Sequence, residues 1–135
     1  MKIAIISPDK ELKEKIDIVI KKSFNDIPVF LFDNEQEFVT PFDNSYDIII
    51  VDYKFEETTG IEVIKNLKNK NYSGWIIALS PNILLTNDLS DAGAKIAILR
   101  DSIELIESIL IGVIEPLTTE EAEKKYGYTS NFTEK

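Results

Sequence analysis

The sequence contains no cysteine and no histidine. Without cysteine there are no disulfides, thiolate metal sites or cysteine nucleophiles, and the redox compartment is left unmarked. Without histidine there is no Ser-His-Asp chemistry, no imidazole zinc ligand and no phosphohistidine formed on this chain. Arginine is nearly absent, with Arg100 standing alone beside 14 lysines. Long apolar runs are missing too. Only Ile3-Ala4-Ile5-Ile6 follows Met1-Lys2 before Ser7-Pro8, too few residues for a signal-peptide core or a membrane span, so a cytoplasmic protein with no membrane partner is expected. There is neither a GxGxxG fingerprint nor a Walker A loop, which excludes the usual nucleotide-phosphate cradles.

What is present describes a single domain. The 135 residues are 44% hydrophobic, enough for one core without covalent staples. Acidic groups outnumber basic ones 24 to 15, for a net charge of −9, which argues against a nucleic-acid partner or an anionic membrane. Residues 115–135 hold 5 acidic and 3 basic groups, leaving −7 on the first 114, so the acidity is not confined to a tail.

Short β-branched apolar runs alternate with helical patterns along the chain. Ile3 to Ile6 reads as a buried strand ended by Ser7-Pro8, and these two residues read as a serine N-cap with proline at the first helical position. Leu12, Ile16, Val19 and Ile20 form that helix's apolar stripe. Pro28 to Phe32 reads as a second strand, and Asn34 to Val39 as a short helix closed by Thr40-Pro41. Tyr46 to Asp52 carries Ile48-Ile49-Ile50-Val51, with no solvated face, as in a central parallel strand covered on both sides. A loop from Tyr53 to Gly60 leads to a helix with Ile61, Val63, Ile64 and Leu67, then Trp75 to Leu79 forms a fourth strand. Ile83, Leu84, Leu85 and Leu89 mark a helix ending near Gly93, Ile96 to Leu99 a fifth strand, and Asp101 or Ser102 caps a last helix with Ile103, Ile106, Leu110 and Val113 inward. Strand–helix alternation five times over predicts an α/β domain with one parallel sheet and helices on both faces. Its expected extent is 1–114, followed by a polar extension over 115–135 with a capping box at Thr118-Thr119-Glu120-Glu121 and a short helix to about Tyr126.

In such sheets ligands bind beyond the carboxyl ends of the strands. The polar residues there are Ser7 and Asp9 after the first strand, Asp52 after the third, Ser80 after the fourth and Arg100 after the fifth. Together with Gly60, eight residues beyond Asp52, and Gly93-Ala94 ahead of Ile98-Leu99-Arg100, this order of pieces resembles the CheY-like receiver domain of two-component response regulators. The resemblance implies a doubly wound, five-stranded flavodoxin-like sheet in the order 2-1-3-4-5. It makes Asp52 the phosphoacceptor, with Ser80 and Arg100 binding the phosphate. Mg²⁺, weakly held or lost, would lie on Asp52, the Lys54 carbonyl and Asp9. It also implies a non-enzymatic signalling module that takes its phosphoryl group from a partner histidine kinase or phosphotransfer protein. The output is then contact with a downstream protein through the fourth helix, fifth strand and fifth helix, with the chain a monomer or weak homodimer.

The sequence departs from the family pattern in a consistent way. Ser7 and Pro8 stand where the family places its acidic, metal-anchoring pair, with Asp9 one residue late. Arg100 replaces the usual lysine, and its planar fork suits bidentate pairing with Asp52. Asp101 stands where a proline is usual, and Ala97 where a switch aromatic often sits. These departures keep open a second reading, a pseudo-receiver binding module with the same fold and no phosphorylation. A flavin-binding electron carrier fits poorly, because Ser7-Pro8-Asp9-Lys10-Glu11 is not a hydroxyl- and glycine-rich phosphate loop.

Overall fold

The computed structural model of the chain describes residues 1–39 and 45–114. The Thr40-Pro41 helix stop, the short helix expected from Thr118 and the rest of the extension lie outside the described residues. The five expected strands form one parallel sheet: β1 (Ile3–Ile6), β2 (Val29–Phe32), β3 (Ile48–Val51), β4 (Trp75–Ser80) and β5 (Ile96–Leu99), in the order β2-β1-β3-β4-β5. Every residue of β1 and β3 is buried, which explains why neither strand carries a polar side chain.

Alternation along the strands sends successive side chains to opposite faces. Ile3, Ile5, Ile48, Ile50, Ile77 and Leu79 pack with α1 (Lys10–Ser23) and with the final helix, α5, described over 105–114. Ala4, Ile6, Ile49, Val51, Ile76 and Ala78 pack against α3 (Gly60–Asn69) and α4 (Thr86–Ala92). The short α2 (Glu35–Val39) is tied to α3 by Asn66 Nδ2 donating to Glu35 Oε2 at 2.7 Å.

Three local expectations are corrected. Helix α1 starts at Lys10 with Asp9, not Ser7, as its N-cap; Asp9 Oδ1 accepts from Leu12 N–H at 3.0 Å. Ser7 is drawn away because its hydroxyl is used by Asp52. Second, the segment after β4 is a 3₁₀ turn, Ile83–Leu85, and only then a helix. Asn82 caps that turn by accepting from Leu85 N–H at 3.1 Å, which leaves Ile83 and Leu84 72% and 84% exposed and Leu89 as the buried residue of α4. Third, another 3₁₀ turn, Arg100–Ser102, intervenes before the last helix, so neither Asp101 nor Ser102 is its cap. Of the residues expected inward there, Ile106 and Leu110 are buried, joined by Ile114, while Ile103 and Val113 are only partly covered.

Register places the site. Ile6 is level with Val51, so Ser7 and Asp52 leave the sheet side by side, and Asp52 N–H donates to the Ile6 carbonyl at 2.9 Å. Gly60 closes the loop after β3, its N–H donating to the Tyr53 carbonyl at 2.6 Å. A Cβ at Gly60 would stand 2.4 Å from the Asp52 carbonyl oxygen and 3.1 Å from Tyr53 Cα, both backbone atoms with no freedom to yield. Gly60→Ala is therefore expected to cost about 1–3 kcal/mol of stability, measured by chemical denaturation; an unchanged midpoint would show that the loop relaxes freely.

Candidate functional site

The carboxyl-end edge of the sheet gathers Ser7, Asp9, Asp52 and Arg100 into one hydrogen-bonded cluster. Asp52 is 1% exposed, and a buried carboxylate is stable only where charge and hydrogen bonds offset its lost hydration. It has both. Arg100 Nε donates to Oδ1 at 2.9 Å and Nη2 to Oδ2 at 3.1 Å, a bidentate pair. Tyr53 N–H donates to Oδ1 at 2.8 Å, and Ser7 Oγ donates to Oδ2 at 2.7 Å. These four bonds occupy the carboxylate's full acceptor capacity.

Asp9 extends the cluster. Besides capping α1, it accepts from Arg100 Nη2 through Oδ2 at 3.0 Å. Its N–H donates to Ser7 Oγ at 3.0 Å, so Ser7 is donor to one carboxylate and acceptor from the other residue's backbone. The Leu12 N–H bond, followed by the Arg100 hydrogen bond, lowers the Asp9 pKa below its ordinary 3.8, against an opposing effect of burial. The sign follows directly: this contribution to stability is complete above the ordinary carboxylate value and is lost only as pH falls through the lowered one. Arg100 is pushed above its ordinary value, first by the Asp52 hydrogen bond and then by the charges of Asp52 and Asp9, with burial opposing. Both shifts favour the charged forms of Asp9 and Arg100.

The other expected site residues take different positions. Ser80 is buried at the end of β4, but its hydroxyl bonds within its own turn, donating to the Asn82 carbonyl and accepting from Asn82 N–H at 3.3 Å. Lys54 lies in a small antiparallel bridge to Thr59 and is exposed. Pro8, Asp9, Asp52, Tyr53, Lys54, Pro81 and Arg100 contribute to the lining of an open cleft of about 390 Å³. The two prolines make part of that lining apolar, where a phosphate site would present donors.

The donor set does not fit Mg²⁺. That ion demands near-octahedral oxygen ligands at about 2.0–2.1 Å. Here Asp52 is saturated by donors, the Ser7 hydroxyl hydrogen points at Asp52, Pro8 brings no side-chain ligand, and both Asp9 oxygens are engaged. A guanidinium already lies against both carboxylates. Among the described residues no group of three or more acidic, histidine or cysteine side chains is placed to hold a metal ion.

Ser7 is the residue whose role sequence reasoning missed. A serine before proline carries the signature of a helix start, and nothing local distinguishes that from a hydroxyl aimed across to a neighbouring strand.

No family model and no curated protein sequence matches the chain; the likeness is one of structure. The BeF₃-activated receiver domain of DrrB, a Thermotoga maritima response regulator, superposes with a TM-score of 0.73 at 18% identity, over 84% of this chain and 97% of that one. The signal receiver domain of a DNA-binding response regulator from Colwellia psychrerythraea gives 0.74 at 15% identity, covering 85% and 98%. A two-component response regulator from Clostridium difficile gives 0.73 at 19% identity, covering 87% and 98%. The chain has the fold of response regulator receiver domains. Among the described residues no helix is long and apolar enough to cross a membrane.

If Asp52 were surplus negative charge in an acidic pocket, neutralising it would stabilise the fold. In this cluster the reverse is expected. An amide at position 52 turns a donor toward Arg100 or Ser7 and leaves the guanidinium only the more exposed Asp9 as an anionic partner, so Asp52→Asn should lose about 1–3 kcal/mol. A double-mutant cycle with Arg100→Met should give a coupling energy above about 1 kcal/mol; stabilisation by Asp52→Asn, or additivity, would refute the pairing as a source of stability.

Proposed function

We propose that this chain is a receiver-fold signalling module that works by protein contact and keeps Asp52 in an ion pair with Arg100, outside phosphoryl chemistry. The saturation of the Asp52 carboxylate carries this reading. To attack phosphorus, a carboxylate oxygen must present a free lone pair, with cationic charge arranged around the incoming phosphoryl oxygens. Here the Arg100 cation is spent on the nucleophile itself. The lost acidic pair at Ser7 and Pro8 points the same way.

The output surface is expected on the α4–β5–α5 side. Ile83 and Leu84 before α4, and Leu105 and Ile111 on α5, are apolar and exposed, and exposed apolar side chains are what a protein partner covers. A cytoplasmic setting and a monomeric or weakly dimeric state suit such a module.

A second reading is supported by the shared edge of Asp52, Ser80 and Arg100. In it, a phosphohistidine of a kinase or phosphotransfer partner donates to Asp52: the N–P bond breaks, an acyl phosphate O–P bond forms, and Arg100 must swing from Asp52 onto the phosphoryl oxygens. Incubation with acetyl phosphate and Mg²⁺, read by intact mass, separates the two. The expected result is an unmodified chain. One added phosphoryl group on the wild type, absent from Asp52→Asn, would establish the second reading instead.

A further inference from the structure

Two carboxylates from different loops meet at one nitrogen. Arg100 Nη2 lies 3.1 Å from Asp52 Oδ2 and 3.0 Å from Asp9 Oδ2, while Nε takes the other oxygen of Asp52 at 2.9 Å. Two anions converging on one point repel unless a cation lies between them, and the repulsion is strongest where one is cut off from water, as Asp52 is. The cation present is a side chain, anchored by β5 and reaching past β4 to join the loops after β3 and β1.

The surrounding residues agree with that placement. Ser7 supplies a neutral hydroxyl and Pro8 no polar side chain, so no further carboxylate faces the guanidinium from the β1 loop ahead of Asp9. The only arginine of the chain occupies the position, where a lysine's single ammonium would lack the fork that grips both oxygens of Asp52. Ser80, the intervening residue at the end of β4, is small and folded back onto Asn82.

We propose that the Arg100 guanidinium is a resident counter-cation: it takes the place of a divalent ion between Asp9 and Asp52 and orders the three loops without metal. The proposal rests on the reading of Asp52 as an ion-paired residue, and it goes further in assigning what the pair replaces. Its corollary is a latent cation site. With the guanidinium removed, Asp9 and Asp52 face each other uncompensated, and a hard divalent ion with oxygen preference is the species that fits the gap.

The test is thermal unfolding of the full chain with and without Mg²⁺. The wild-type Tm is expected not to move with Mg²⁺. Arg100→Ala should lower Tm by about 5–10 °C, with partial recovery on adding Mg²⁺, and Arg100→Ala combined with Asp9→Asn should show little recovery. Arg100→Lys, which keeps the charge without the fork, should lose less and respond less to Mg²⁺; it carries the comparison with wild type if the alanine variant does not fold. A wild-type Tm raised by Mg²⁺ as much as that of the Arg100 variants would overturn the proposal, as would folded Arg100 variants indifferent to Mg²⁺. A phosphoryl group found on Asp52 by mass would refute the functional reading through a separate measurement, leaving these Tm comparisons to judge the counter-cation.

Discussion

The bidentate ion pair between Arg100 and Asp52 is the interaction on which the arrangement of the sheet's carboxyl-end edge depends. Among the described residues, Asp52 is the one acidic side chain in the buried polar set of Ser7, Lys13, Asp52 and Ser80. Its burial is tolerable because a guanidinium, a backbone N–H and a hydroxyl together replace the water it lost. Spanning from β5 to β3 crosses two inter-strand spacings, about 9–10 Å in all, a distance that suits a long side chain passing over a small one. Ser80, turned into its own loop, leaves that path open. The same reach stitches the first, third and fifth strand ends together, so the pair acts as a strut as well as a neutraliser.

The rest of the sheet makes this polarity stand out. The central strands β1 and β3 are entirely aliphatic and buried on both faces, so the polar side chains of this edge gather at the strands' carboxyl ends and just beyond them. Elsewhere along that edge the device is repeated in weaker form: Lys13, buried on α1, pairs with the mostly exposed Asp33 just after β2. An ion pair with one partner in solvent is screened and contributes little, whereas Asp52 has no solvent to fall back on. The net charge of −9 is therefore a property of the surface, while the buried acid is matched by the chain's only arginine.

A receiver-like scaffold thus carries an altered electrostatic arrangement. The sheet order and the parallel crossovers are those of receiver domains, as the structural likeness shows. The distinctive polar groups concentrate on one cluster: Ser7, Asp9 and Asp52 gathered around the planar fork of Arg100. The turn carrying Ile83 and Leu84 holds apolar side chains in solvent.

The alternation of β-branched runs with 3.6-residue stripes was enough to determine five strands, their parallel pairing and the buried faces of the first and third helices, because burial on both sides of a parallel sheet writes itself into composition. The same logic singled out Asp52, Ser80 and Arg100 as strand-end residues. Local signals failed where a side chain had a distant partner. Ser7 carries the pattern of a helix cap, yet the register that brings Ile6 level with Val51 sets it beside Asp52 and hands the cap to Asp9. Ile83 and Leu84 fit a helical stripe, yet the Asn82-capped turn holds them in solvent. Whether Ser80 turned toward Asp52 or back to Asn82, and whether Arg100 gripped one carboxylate or two, are differences of a single rotamer. Only the tertiary structure decided them, since hydrogen bonds between residues 48 and 91 positions apart depend on strand order and register that no local pattern encodes.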